Sequence, residues 1–196
     1  NNEVHYAIEG SIYSCGNIIK WLRDKMKYFE NSEDSENFLR KDGNSNNVLF
    51  LPAFNGLGAP YWNSEIRGGF YGITQDTNIE DIITATFQSI AFQTKDITNI
   101  LNLYDIKIQK LLVDGGMVSN KTFCQVLADT LQIDIVKPEN AESTAIGACK
   151  VAMLSSGMSI ENLPKNDIFY EANKNRKDVY SRNYSKWQEY LLKTIK

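Results

Sequence analysis

The sequence predicts an α/β domain, because segments with the pattern of β-strands alternate along the chain with segments that have helical spacing. The clearest example is LLVDGGMVSN, residues 111–120, where an apolar strand pattern ends in two glycines directly before a helix pattern. A further glycine, Gly16, stands at the head of another helix pattern. Because α/β domains bind small ligands at the carboxyl ends of their strands, both glycine turns are candidate binding positions.

The first half of the chain predicts three strands and one main helix. Residues 4–14 alternate between apolar and polar side chains, which predicts a strand or a hairpin arm. A helix is predicted from Gly16, because apolar residues then recur at helical spacing. The polar residues 29–47 predict a surface connection with a short helical piece. A buried strand that ends at Pro52, a glycine-rich loop and a strand over 70–74 follow.

The second half predicts four helices and two strands. In chain order these are an amphipathic helix over 78–104, a strand and turn over 110–116, a helix over 120–131, a short strand over 134–138, a helix of small residues over 142–157 and an amphipathic tail over 179–195. We expect the helix of small residues to lie close to a sheet. We expect the tail to pack across the outside of the domain.

Composition excludes several classes of function. A chain of 196 residues with 42% hydrophobic content can bury the core of one or two domains. The formal net charge of −3 and the scattered charges argue against nucleic-acid binding, which needs a clustered basic face. No stretch approaches the roughly 20 apolar residues of a membrane span, and the first residues lack a signal-peptide pattern. The sequence therefore predicts a cytoplasmic protein that does not bind nucleic acid and has no membrane span.

The residue types that most often carry chemistry do not form a recognisable centre. Cys15, Cys124 and Cys149 lie far apart without CxxC spacing, which predicts small buried side chains and neither a zinc site nor a disulfide framework. The one histidine, His5, lies in the first predicted strand without an evident Ser or Cys partner, so a structural role is expected. The chain does not begin with methionine, which agrees with a piece of a longer protein.

The paired glycines of residues 111–120 allow two interpretations. The pair can be a simple turn, or it can admit a phosphate or a flat ring to the backbone, because glycine has no Cβ and the helix N-terminus adds partial positive charge. The pattern is neither a Walker A loop nor GxGxxG. Asn120 can cap the next helix or hydrogen-bond to a base. In the loop GLGAPYW we expect Trp62 to pack on the sheet or on a neighbouring subunit.

Four stretches carry a resemblance to a known family. They are PAFNGLGAPYWNSEIRGGFYGIT, IEDIITATFQSIAFQTKDI, LLVDGGMVSN and ESTAIGA. Together they resemble the C-terminal half of the FGGY carbohydrate kinases, and residues 68–88 are similar to the C-terminal signature of that family. The run GLGAPYW is more similar to glycerol kinases than to xylulose or gluconate kinases.

The resemblance implies a ribonuclease-H-like ATPase domain of the actin, hexokinase and Hsp70 type. By this resemblance, residues 1–196 are the C-terminal, nucleotide-binding domain of a two-domain sugar kinase, without the N-terminal domain that binds glycerol. The implied reaction transfers the γ-phosphate of ATP to glycerol with Mg²⁺ and gives sn-glycerol 3-phosphate and ADP. A homodimer or homotetramer of the full-length protein is also implied.

The resemblance further implies where ATP binds. The implied contacts are Gly16, Lys20, Gly115, Gly116 and Asn120. Lys20 departs from the family, where glutamine is usual, and its ammonium can pair with a phosphate or reach solvent. No catalytic residue is assigned, because the family places its catalytic aspartate in the N-terminal domain, and the isolated chain is therefore expected to be inactive. The alternatives are another FGGY sugar kinase and a non-catalytic nucleotide-binding module.

Overall fold

The computed structural model describes residue 4 and residues 6–139, 143–159 and 167–195, which form a mixed α/β structure as the sequence predicts. Its helices are α1 (Cys15–Asp24), α2 (Ser35–Phe38), α3 (Ile79–Leu103), α4 (Lys121–Leu131), α5 (Ser143–Ser155) and α6 (Lys177–Ile195). Its strands are β1 (Leu49–Leu51), β2 (Gly69–Tyr71), β3 (Lys110–Leu112), β4 (Asp134–Pro138) and β5 (Asp167–Tyr170). His5 lies outside the described residues.

The strands form two small sheets. β1 and β2 pair antiparallel, with Leu49 opposite Tyr71. β4 is the middle strand of the second sheet and pairs parallel with β3 and antiparallel with β5. The parallel pair brings the end of β3 to the edge where a turn leads into α4, which is the edge that positions the candidate site.

The long helix α3 is the centre of the packing. It begins with a capping box, in which the Asn78 side chain accepts a hydrogen bond from the backbone of Asp81 and the Asp81 side chain accepts one from Asn78. Its middle section is buried nearly all round, including Ile83 and Phe87. Since both β1 and α4 pack against it, α3 joins the first sheet to the helix of the candidate site.

One face of the tail helix α6 is part of the hydrophobic core. Trp187 and Tyr180 are 2% and 1% exposed, and the Trp187 Nε1 donates a hydrogen bond to the Phe50 carbonyl at 2.8 Å. The prediction of an amphipathic helix that packs across the outside is confirmed, because one face of α6 is buried and the other carries exposed residues such as Leu192. The sequence did not indicate that the buried face completes a core with β1.

A buried carboxylate joins α6 to the glycine-rich loop. Asp96 on α3 is 4% exposed and accepts hydrogen bonds from the hydroxyls of Tyr61, at 2.8 Å, and Tyr184. Burial raises the pKa of Asp96 above its ordinary value, and the hydrogen bonds from the two hydroxyls act against that rise. The loop, α3 and α6 therefore share one polar contact.

The first predicted strand is not formed. The described residues between 4 and 13 have no regular secondary structure, and Val4, Tyr6 and Ile8 are 73%, 94% and 71% exposed. Alternating side chains make a strand only where a neighbouring strand supplies hydrogen bonds, and no described strand lies against this segment. The prediction of a strand over residues 4–14 is wrong for this chain.

The helix of small residues also differs from expectation. α5 has the predicted extent, but no residue in it is buried, and Val151 and Leu154 are 65% and 55% exposed. The expectation that this helix lies close to a sheet is wrong, because no described part of the chain covers its apolar side chains. Small residues permit close packing but do not determine a partner.

The glycine-rich loop between β1 and β2 is built by close backbone contacts. A Cβ placed on Gly58 would lie 2.2 Å from the carbonyl oxygen of Ser11, so only glycine fits there. Trp62 is 64% exposed and does not pack on the sheet, which corrects the first of the two expectations for it. Its packing on a neighbouring subunit stays a prediction.

None of the helices in the described residues is long and apolar enough to cross a membrane.

Candidate functional site

A cavity of about 940 Å³ opens between α1 and the turn that follows β3. Four of the five residues predicted to contact ATP line it, namely Gly16, Lys20, Gly116 and Asn120. Gly115 does not line the cavity itself, although both of its chain neighbours do. The two glycine turns that the sequence singled out therefore face one space, which is at the upper end of the 300–1,000 Å³ usual for small-molecule sites.

Helix α1 forms one wall of this cleft. Its buried residues Ile18 and Leu22 anchor the helix in the core, which turns Gly16 and Lys20 toward the opposite side. A Cβ on Gly16 would meet no atom within 4 Å, so the space above it is open. The Lys20 ammonium forms no hydrogen bond or ion pair with any described residue. This wall of the cleft therefore carries a positive charge without a partner in the described structure.

The double-glycine turn forms the facing wall. Gly115 has φ +96°, a conformation that favours glycine, and a 3₁₀ turn over Gly116–Ser119 leads into α4. Gly116 does not need positive φ, and a Cβ at either glycine would meet no atom within 4 Å. Among the described residues, no contact therefore requires glycine at position 116.

Asn120 connects this turn to α4. Its Oδ1 accepts a hydrogen bond from the backbone N–H of Phe123 at 2.8 Å, so Asn120 caps the helix as one of its two predicted roles. The side chain is 8% exposed, and its Nδ2 has no hydrogen-bond partner among the described residues. Oδ1 already accepts the capping hydrogen bond, so the buried Nδ2 is the part of the amide without a partner in the described structure. A bond to a base stays a prediction.

The floor of the cleft is apolar. Ile19, Phe87, Ile90, Phe123 and Leu127 supply it from three helices. Apolar side chains below and polar groups at the rim suit a ligand with a flat ring and a charged end.

Several residues of this cleft were not predicted from the sequence. Glu33 lines it from the connection after α1, Ser35 from the start of α2 and Thr94 from α3. Cys15 lines it as well, and burial raises the pKa of its thiol above the ordinary value, so the thiol stays protonated near neutral pH. The polar pattern of residues 29–47, which includes Glu33 and Ser35, predicted a surface connection with a short helical piece and no part of a binding site.

The described residues contain no group of three or more His, Cys, Asp or Glu side chains that could hold a metal ion. Glu33 and Asp114 are the carboxylates along the cleft. A Mg²⁺ ion held by protein carboxylates alone therefore does not fit this part of the chain.

The fold and the cleft define an α/β domain with a candidate ligand site between the N-terminus of α1 and the turn that joins β3 to α4. Residues 1–156 match the C-terminal domain of the FGGY family of carbohydrate kinases. The chain belongs to this family, which confirms the resemblance seen in the sequence and its actin- and hexokinase-like ATPase fold.

Curated relatives and solved structures agree with this assignment. The glycerol kinase of Streptococcus pneumoniae strain Hungary19A-6 is 48% identical over 158 residues, which are 80% of this chain and 32% of that protein. A crystal structure of Plasmodium falciparum glycerol kinase with ADP matches with a TM-score of 0.80 and 28% identity, over 94% of this chain and 38% of that one. A gluconate kinase from Lactobacillus acidophilus, with a TM-score of 0.78 and 20% identity over 95% and 39% of the two chains, shows the same fold. The chain spans about a third of the length of the curated relatives it matches.

Proposed function

We propose that this chain is the nucleotide-binding domain of a glycerol kinase, which transfers the γ-phosphate of ATP to glycerol and gives sn-glycerol 3-phosphate and ADP. The observation that carries the proposal is the cleft in which Gly16, Lys20, Gly116 and Asn120 face one space. The 48% identity to a curated glycerol kinase supports glycerol as the acceptor. The likeness to a glycerol kinase solved with ADP supports the nucleotide.

Each predicted contact has a specific part in this proposal. Gly115 and Gly116 leave room for the nucleotide beside the backbone, and Gly16 does the same on the facing helix. Asn120 offers its free Nδ2 to an acceptor on the base. The unpaired ammonium of Lys20 supplies positive charge for a phosphate oxygen or a ribose hydroxyl.

Phosphoryl transfer needs little covalent chemistry from a protein, because positioning and charge stabilisation carry most of the catalysis. This domain positions the nucleotide and excludes water from one side of it with its apolar floor. The glycerol pocket and the catalytic base are proposed to lie in the part of the relatives that this chain does not span. Mg²⁺ is proposed to bind with the nucleotide phosphates and that other part, where it would neutralise phosphate charge. A homodimer or homotetramer and a cytoplasmic location stay predictions.

The acceptor is tested by comparing substrates with the full-length protein. We expect ATP-dependent ADP release with glycerol, at a kcat/KM at least about a hundredfold above that with xylulose or gluconate, because a site built for one polyol leaves polar groups unpaired with another. A coupled ADP-release assay measures all three. A preference for xylulose or gluconate would show that the protein is another FGGY sugar kinase and not a glycerol kinase. No turnover with any of the three substrates would favour the non-catalytic nucleotide-binding module.

The isolated chain is expected to release no ADP in the presence of glycerol. It carries the proposed nucleotide cleft but not the proposed glycerol pocket, and none of its residues is assigned as the catalytic base. The purified chain and the full-length protein are compared in the same assay, with circular dichroism to show that the chain is folded. Glycerol-dependent turnover by the pure, folded chain would refute the proposal that the glycerol pocket and the catalytic base lie outside this chain.

A further inference from the structure

We propose that a second cavity, on a different face of α4 from the nucleotide cleft, binds a small anion of the phosphate class. This cavity has a volume of about 340 Å³ and shares no lining residue with the nucleotide cleft. Asn120, Phe123 and Leu127 face the cleft, whereas Lys121, Thr122, Gln125 and Val126 face the second cavity. The inference does not depend on the proposed kinase activity.

Three cationic side chains converge on this cavity from three separate segments. They are Lys41, Lys121 and Arg176. The ammonium groups of Lys41 and Lys121 form no hydrogen bond or ion pair with any described residue. Like charges that meet without partners repel one another, so a bound anion would relieve the repulsion and gain charge-assisted hydrogen bonds.

The third cation, Arg176, is oriented by an ion pair with a buried carboxylate. The Nη1 of Arg176 lies 3.2 Å from the Oδ2 of Asp129, whose side chain is fully buried. Asp129 in turn accepts hydrogen bonds from the backbone N–H of Asn173 at 2.9 Å and from the Nε2 of Gln125 at 2.8 Å. The guanidinium is therefore oriented, and its remaining N–H groups are unpaired in the described structure. An oriented guanidinium with free N–H groups is well suited to phosphate oxygens.

One carboxylate, Glu36, lies among these cations, and it already has a structural role. Its Oε1 accepts hydrogen bonds from both the backbone N–H and the Oγ1 of Thr122, each at 2.9 Å. Asp129 already pairs with Arg176, so Glu36 and Asp129 together leave one of the three positive charges unbalanced. A phosphate anion would supply negative charge there, which a neutral or cationic ligand could not do.

The remaining walls are the Tyr170 and Val126 side chains. The volume is at the low end of the range for small-molecule sites, so the cavity has room for a phosphate group with a small organic body. Because the cations would bind the phosphate group itself, inorganic phosphate is a suitable probe for this cavity.

The site is tested by thermal melts of the full-length protein in inorganic phosphate and in chloride of equal ionic strength, each without ADP and with excess ADP to fill the proposed nucleotide cleft. We expect phosphate to raise the Tm of the wild type by a few degrees over chloride, because a ligand that binds only the folded state stabilises it. The double variant Lys41→Gln with Lys121→Gln should lose this rise. Lys107→Gln, which removes an exposed lysine that lines neither cavity, should keep it.

A variant that should gain affinity separates binding from a folding defect. Glu36→Gln keeps an oxygen that can accept both hydrogen bonds from Thr122 but removes the one negative charge of the lining. We expect it to bind phosphate several-fold more tightly than the wild type in the same melts. The proposal is overturned if phosphate gives no rise over chloride, if ADP abolishes the rise, if the double variant keeps it, or if Glu36→Gln binds no more tightly.

Discussion

Replacing Gly116 with valine is expected to raise the KM for ATP of the full-length enzyme at least about tenfold, a loss of ~1.4 kcal/mol of binding free energy, with little change in the KM for glycerol. Gly116 lines the cleft, and a Cβ placed there would meet no protein atom within 4 Å. The added Cβ therefore has room in the protein alone, and the side chain would occupy the space proposed for the nucleotide. Initial rates at varied ATP and varied glycerol measure the two constants.

Two controls separate bulk in the cleft from backbone strain. Gly116→Ala adds the least bulk and should raise the KM for ATP by less than valine does. Gly115→Ala places a side chain at φ +96°, where it strains the backbone by roughly 1 kcal/mol, so it should lower the Tm even though its Cβ meets nothing. If Gly116→Val melts like the wild type and ATP binding is unchanged, the double glycine is only a turn and the nucleotide site lies elsewhere.

Local signals in the sequence predicted the elements that form this site. The glycine pair and Asn120 predicted a strand, a turn and a capped helix, and β3, the 3₁₀ turn and α4 follow in that order. These features depend on neighbouring residues, because caps and tight turns are made by side chains and backbone a few positions apart. For this reason the walls of the cleft could be predicted without an alignment.

Contacts between distant segments could not be predicted in this way. Glu36 and Thr122 are 86 positions apart and are joined by two hydrogen bonds, and no local pattern indicates that pair. The second cavity escaped prediction for the same reason, since Lys41, Lys121 and Arg176 each read as ordinary surface charges. A short strand such as β5 also carries too few residues for a periodic signal.

The exposure of residues 4–14 and the exposure of α5 have the same physical explanation. Both segments carry apolar side chains in the pattern of half-buried elements, and both are exposed in this chain. A pattern reports that a segment is suited to burial but not which surface buries it. We propose that a part of the full-length protein outside this chain, the proposed N-terminal domain, covers these segments.

Replacing Trp187 with alanine is expected to lower the free energy of unfolding by about 3–5 kcal/mol, the range for truncating a large aromatic side chain in a core. The indole is 2% exposed and packs against Phe92 and Tyr184, with ring centroids 5.8 and 6.4 Å away. Its Nε1 also donates to the Phe50 carbonyl, so truncation leaves both a cavity and a buried acceptor without its partner. Urea titrations followed by circular dichroism give the change.

Two matched substitutions identify the source of that loss. Trp187→Phe keeps most of the packing but removes the donor to Phe50, so it should cost roughly 1–3 kcal/mol and fall between wild type and alanine. Trp62→Ala removes an indole that is 64% exposed and should change stability by no more than about 0.5 kcal/mol in a monomer. A Trp187→Ala protein as stable as Trp62→Ala would mean that α6 does not complete the core over β1. A large loss for Trp62→Ala that depends on protein concentration would instead place that side chain in a subunit interface, because dissociation then contributes to unfolding.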